Sequence, residues 1–137
     1  MSKASPSAKR PGPDVTIPAV SKALTIAVAG SPKKHSYDVD FDDVLKLRAF
    51  MAAKRGILED VEALPDDANE ATQMEFIEKT ATRIVEAVEM ILGEGSYDEI
   101  FEGRRSLFGG LALLVEIEKY IGPAYDAAFS KYKSATE

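Results

Sequence analysis

Glu94, Asp98, Glu99 and Glu102 fall within nine residues, and carboxylates this close in sequence are the raw material of acid–base catalysis or of a cation site. Each has a simpler role. Ser96-Tyr97-Asp98-Glu99 has the S-x-x-E spacing of a capping box, which predicts a helix start at Ser96 with the two acids offsetting the partial positive charge of the first turn. Gly93-Glu94-Gly95 lacks the Lys-Ser/Thr of a phosphate loop, and it follows a helix pattern where a dinucleotide site needs a strand. Arg104-Arg105 carry the charge to hold an anion at a helix start, but the acids beside them are the nearer partners.

Asp38, Asp40, Asp42 and Asp43 invite a calcium reading that their spacing does not support, because an EF-hand loop needs a sixth-position glycine and a closing glutamate. Strand alternation places Asp38 and Asp40 on a wet face, and Asp40 or Asp42 is expected to cap the following helix. The only histidine, His35, is expected as a solvated turn residue. The chain has no cysteine, so thiolate metal sites, disulfides and a cysteine nucleophile are excluded. No catalytic, cofactor-binding or metal-ligating set is assigned, and no cofactor is expected.

The elements that position these residues follow from periodicity. Leu24 to Val28 and the strictly alternating Tyr37-Asp38-Val39-Asp40-Phe41 flank the turn chemistry of Gly30-Ser31-Pro32-Lys33-Lys34, which predicts a β-hairpin at about 23–41. A helix is expected from about Asp42 to Leu64, with an apolar stripe running from Val44 to Leu64 and a bend near residue 55 where Lys54 and Gly56 weaken it. Pro65 ends it. The second helix, about Asn69 to Leu92, has the clearest pattern: Met74, Ile77, Ala81, Ile84, Val85, Val88, Ile91 and Leu92 keep a 3.6-residue repeat.

After the short turn of helix at Ser96, which Gly103 is expected to stop, a last helix begins near Ser106 with almost no polar face over its first two turns. Such a helix is either central to the domain or waits for a partner. Gly122-Pro123 makes the element kink or restart, and residues from Ser130 onward are expected to fray. The fold class is therefore mainly α: a small helical domain of three to four helices with an N-terminal β-hairpin. The organisation is a disordered basic arm at 1–14, a single domain at 15–132 and a frayed end at 133–137.

Charge is distributed unevenly. Residues 1–35 hold six basic residues against Asp14 alone, whereas the remaining 102 hold 11 basic and 22 acidic, a net −11. An acidic body disfavours nucleic acid, since phosphate contacts supply most of the non-specific affinity. The basic arm is the one segment suited to DNA or RNA, but it is short, lacks aromatic residues for stacking, and reads more simply as a solvated tail. No apolar run approaches the ~20 residues of a membrane span, and no signal peptide is read. Cytosol is the expected compartment.

The hairpin ending in Tyr37-Asp38-Val39-Asp40-Phe41, the helical body, and above all Ile91-Leu92-Gly93-Glu94-Gly95 followed by Ile100-Phe101-Glu102-Gly103-Arg104 resemble tail assembly chaperones of long-tailed (siphovirus-type) bacteriophages and prophages. In that family an ILGEG turn and an IFEGR helix commonly join two helices. The resemblance covers about 23–132 and is specific at 91–104, whereas the arm before Val15 and the pair Gly109-Gly110 depart from it.

It implies a non-catalytic protein of the host bacterial cytoplasm that binds the tape measure protein, keeps it soluble during tail assembly and is absent from the virion. It further implies a longer companion made by ribosomal frameshifting; the major tail protein and a second copy of the chain are further candidate partners. Phe101, Leu107, Phe108, Leu111 and Leu114 are the residues expected to form the partner-binding face. Two competing readings are a structural virion component, such as a head–tail connector or completion protein, and a DNA-binding regulator that uses the basic arm.

Overall fold

The computed structural model describes residues 12–17 and 21–135; the basic arm up to residue 11 and the last two residues lie outside the described part. Two strands precede four helices: β1 (Ser21–Ala27), β2 (Lys34–Asp40), α1 (Val44–Ala63), α2 (Glu70–Leu92), α3 (Ser96–Phe101) and α4 (Leu107–Ala135). The protein is a small, mainly α domain with an N-terminal antiparallel hairpin. Residues 12–17, including Val15 and Ile17, are exposed and belong to no regular element.

The strands pair from Ser21↔Asp40 to Ala27↔Lys34 around a turn at Gly30, which takes the left-handed φ of 89° that a side chain would resist. Alternation sends Leu24 and Ile26 of β1 and Tyr37 and Val39 of β2 to the core side, whereas the hydroxyls of Thr25 and Ser36 meet at 2.9 Å on the wet side. His35 is not in the turn: it lies in β2 opposite Ile26 and is half-buried, because the strand starts at Lys34 and its odd positions face inward.

Neither Asp40 nor Asp42 caps α1. Asp43 does, accepting from the Lys46 amide at 3.2 Å, while Asp40 accepts from the amide of Asp42. Leu47, Phe50 and Ile57 carry the buried stripe of α1, which runs uninterrupted through Lys54 and Gly56. Lys54 is held by an ion pair to Glu118 of α4.

On α2 the repeat is buried only from Thr80 onward, through Ile84, Ala87, Val88, Ile91 and Leu92. Met74 and Ile77, which match the same repeat, are 49% and 41% exposed. Phe76 alone is half-buried in the first ten residues of the helix, so periodicity there outruns the protein available to cover it.

The expected capping box is not formed. Gly95, with φ 86°, occupies the cap position, and Ser96 is already helical and buried with its Oγ unpartnered. The Ser96 amide donates to the Gly93 carbonyl at 3.2 Å, leaving Glu99 no donor to reach back to. At the other end Glu102 rather than Gly103 is the left-handed cap residue (φ 53°), and Gly103 continues the turn with φ 82°.

Ser106 does start α4, its Oγ accepting from the Gly109 amide at 3.1 Å. The helix then runs without a break through Pro123 to Ala135, beyond the point where fraying was expected. Leu113, Leu114, Ile117 and Ile121 form its buried seam against α1 and α2.

The approach of α4 to the rest of the core is set by Gly109 and Gly110. A Cβ on Gly110 would lie 2.6 Å from Ile84 Cγ2, and one on Gly109 would lie 2.8 Å from Phe101 Cε1. The Gly110→Ala variant is therefore expected to lose about 1–3 kcal/mol despite the better helix propensity of alanine. Gly56→Ala, whose Cβ meets only the tip of Arg83, is expected to gain about 0.5–1 kcal/mol. Denaturant unfolding of the two variants measures both, and equal effects would contradict the close-packing account.

Candidate functional site

The five residues expected to form one face are divided by the fold. Leu114 is fully buried between helices, and Phe101 is buried with its ring 4.6 Å from that of Tyr97. Leu107 and Leu111 are half-buried at the edge of the core. Phe108 alone points outward, 85% exposed. A helix that is apolar all round gives no phase from which these orientations could be read in the sequence.

The short helix α3 fixes the start of α4 through Tyr97. Its hydroxyl donates to the Ser106 carbonyl at 2.7 Å, its amide meets Glu89 Oε2 at 3.4 Å, and the Arg105 guanidinium lies 5.9 Å from its ring centre. Burial pushes the Tyr97 phenol above its ordinary value, opposed by the positive charge of Arg105. The two arginines serve this junction: Arg105 pairs with Asp98 at 2.9 Å and Arg104 Nε donates to the Phe101 carbonyl at 3.3 Å. The acidic cluster is likewise dispersed, with Asp98 on Arg105, Glu99 on the Tyr37 hydroxyl and Glu102 on Lys33.

Two apolar depressions flank the exposed start of α4. The larger, about 710 Å³, runs between β1 and α4 and is lined by Leu24, Ile26, Val28, Phe101, Ala112 and Leu113, among others. A smaller one of about 510 Å³ lies between α2 and Leu107, with Ile77, Ala81 and Val85 as its apolar floor. The larger groove is framed by polar ties between hairpin and helices. Tyr120 donates to the Ala23 carbonyl at 3.2 Å, Tyr37 donates to Glu99 at 2.9 Å, and Lys33 meets Glu102 at 3.6 Å.

The β1 wall has no counterpart among the residues expected from the sequence to form a partner-binding face, all of which lie in α3 and α4. The signal for it is a two-stranded sheet, since one edge of each strand must then lack a strand partner. Among the described residues no three carboxylate or imidazole groups come together as a metal site, and no helix is long and apolar enough to cross a membrane. The arrangement offers apolar area and shape.

A protein-family model described as "Family of unknown function (DUF6673)" matches residues 33–137, a range that takes in β2 and all four helices and begins after β1. No curated protein and no solved structure matches.

Two measurements check the site. Phe108→Asp is expected to leave unfolding free energy within about 0.5 kcal/mol of wild type, because the ring packs on little; a larger loss would make it a core residue. Tyr37 is pushed up to about 12 by burial and by its hydrogen bond to the Glu99 carboxylate. Because the folded value lies above the ordinary 10.0, its contribution to stability is whole below pH 10 and is lost as pH rises toward 12. Near-ultraviolet titration should show one fewer late phenol in Tyr37→Phe than in wild type, the raised Tyr97 remaining in both.

Proposed function

The chain belongs to this family of unknown function, and within it we propose that the protein is a non-catalytic tail assembly chaperone of a long-tailed bacteriophage or prophage. It binds the tape measure protein in the host cytoplasm and keeps that long apolar chain soluble until the tail is built. One observation carries the reading: Phe108 stands 85% exposed on the helix that supplies Leu113, Leu114, Ile117 and Ile121 to the core, directly upstream of an open apolar groove of about 710 Å³. Exposed apolar surface of this kind marks an interaction site rather than a solvated face.

The acidic body supports the same reading. Residues 36–137 carry a net −11, which keeps an otherwise sticky protein dispersed while it holds an apolar client. The Ile91–Arg104 segment, on which the resemblance rests, folds into the helix end, α3 and turn that set up the exposed start of α4. A frameshifted companion that keeps this domain would present the same surface beside any added segment.

The test is co-expression with the neighbouring tape measure protein. Wild type is expected to move a large share of it into the soluble fraction, and Phe108→Asp, although folded, to lose most of that effect. Unchanged tape measure solubility with wild type would sink the proposal. Mass spectrometry of purified particles separates the structural alternative: a virion component would be present at ring-like copy number, whereas a chaperone is absent.

A further inference from the structure

Val15 and Ile17 stand 73% and 80% exposed in a segment that belongs to no regular element, just ahead of β1. From Val15 to Ser21 the sequence carries no charge, and Ile17 precedes Pro18, which favours extended backbone. Extended backbone puts alternate side chains on one face, so Val15 and Ile17 share a side, about 7 Å apart, and Thr16 takes the other. The segment therefore has an apolar face that the body leaves uncovered.

A surface of matching character lies within its reach. The groove between β1 and α4 begins at Leu24 and Tyr120 and is apolar through Ile26, Leu113 and Ile117. Its charged rim residues, Glu116 and Lys119, pair with each other at 3.1 Å, so a charged occupant would find no counter-ion there and a neutral one needs none. That favours Val15–Ile17 over the basic stretch with Lys3, Lys9 and Arg10.

Length sets how far the segment can go. The four residues from Ile17 to Ser21 span at most about 13 Å, and Leu24 lies about 10 Å along β1 from Ser21. Val15 is at most about 20 Å from Ser21, which brings it level with Ala27. The segment can thus cover the half of the groove at Leu24, Ile26 and Tyr120, and the end at Val28 and Phe101 stays open. A second copy competes poorly for the same place. So short a tether holds its segment at an effective concentration on the order of millimolar, and the net charge of −6 opposes a neighbour.

We propose that Val15–Ile17 is a built-in cover for this groove, with Val15 and Ile17 laid between β1 and α4 until a client displaces them. The structure shows the open arrangement, in which neither side chain lines the groove. Only two side chains are buried against the cost of ordering their linker, so the cover is easily exchanged. Phe108 lies outside the lining, next to the open end, and stays available as the client's first contact while the cover is on. The inference adds regulation to the proposed client site and rests on the chaperone reading for the identity of the client.

The chain has no cysteine, so a nitroxide on Thr16→Cys is unique, and it stands on the face turned away from the groove. Amide signals of Leu24, Ile26, Ile117 and Tyr120 are expected to broaden at least twofold more than those of Leu45 and Lys46. The latter two follow closely on Asp40, the strand partner of Ser21, and share the neighbourhood of the tether. Adding Val15→Ser and Ile17→Ser, which leave the charge unchanged, should level the two sets. Even broadening in the parent protein would overturn the proposal, because the segment would then be a free tail. Broadening of an unlabelled, isotope-enriched copy mixed with the labelled one would overturn it too, since a second copy would then own the groove.

Co-expression with the tape measure protein is the second arm. The Val15→Ser and Ile17→Ser pair is expected to keep at least as much of it soluble as wild type does; a smaller share would make these residues client contacts and overturn the cover. If wild type keeps none of it soluble while the groove signals broaden selectively, the chaperone reading falls and the cover stands. If wild type keeps it soluble and broadening is even, the cover falls alone.

Discussion

The close approach of α4 to α2 and α3 at Gly109 and Gly110 is the constraint on which the rest of the molecule depends. With no Cβ at Gly110, Ile84 and the Tyr97 hydroxyl occupy the space where one would stand, at 2.6 and 3.0 Å. That approach lets Tyr97 reach the Ser106 carbonyl and Leu114 reach the centre of the core. It also fixes the rotation of α4. Once Gly110 faces Ile84, the 100° step per residue puts Leu113, Leu114 and Ile117 inside and Phe108 outside. The exposed phenylalanine is thus a geometric consequence of the glycine beside it.

The hairpin depends on the helices in turn. Two strands alone are marginal in water, and these are held by Phe41 against Tyr120 at 5.7 Å and by the hydroxyls of Tyr120 and Tyr37. The polar ties join the hairpin to α3 and α4, and the hairpin is kept in place by them. Glu102 shows the same economy. It accepts a left-handed backbone (φ 53°), unusual for a residue with a side chain, at the point where its carboxylate meets Lys33 of the hairpin turn.

Much of this was legible in the sequence wherever a signal is local. The hairpin, the breaks at Pro65 and Gly93–Gly95, and the start at Ser106 follow from turn and cap chemistry within a few residues. Errors occur where the deciding contact is distant or where backbone conformation overrides a side-chain motif. Met74 and Ile77 keep helical period with the core, but nothing in α2 itself says that cover ends before Thr80. Ser96 has the right spacing for a capping box, yet Gly95 is left-handed and the Ser96 amide is already spent on Gly93. His35 is expected in the turn, but β2 already starts at Lys34, so the turn ends two residues earlier than its chemistry suggests. Phe101 and Leu114 were grouped with Phe108 because an all-apolar helix start has no sequence phase, and only packing reveals it.

The free edge of β1 is illegible in the sequence for a different reason: it is defined by what does not pair. Local alternation predicts a strand equally well whether the strand is central or at an edge. The composition leaves that edge without the usual protection. Protected edge strands carry inward charges, prolines or bulges, whereas Ala23 to Ala29 has none, and the only charged residue of β1 is Lys22 at its start. Such an edge on a free protein invites self-association. At long range that liability is opposed by the chain's net charge of −6, which repels a second copy.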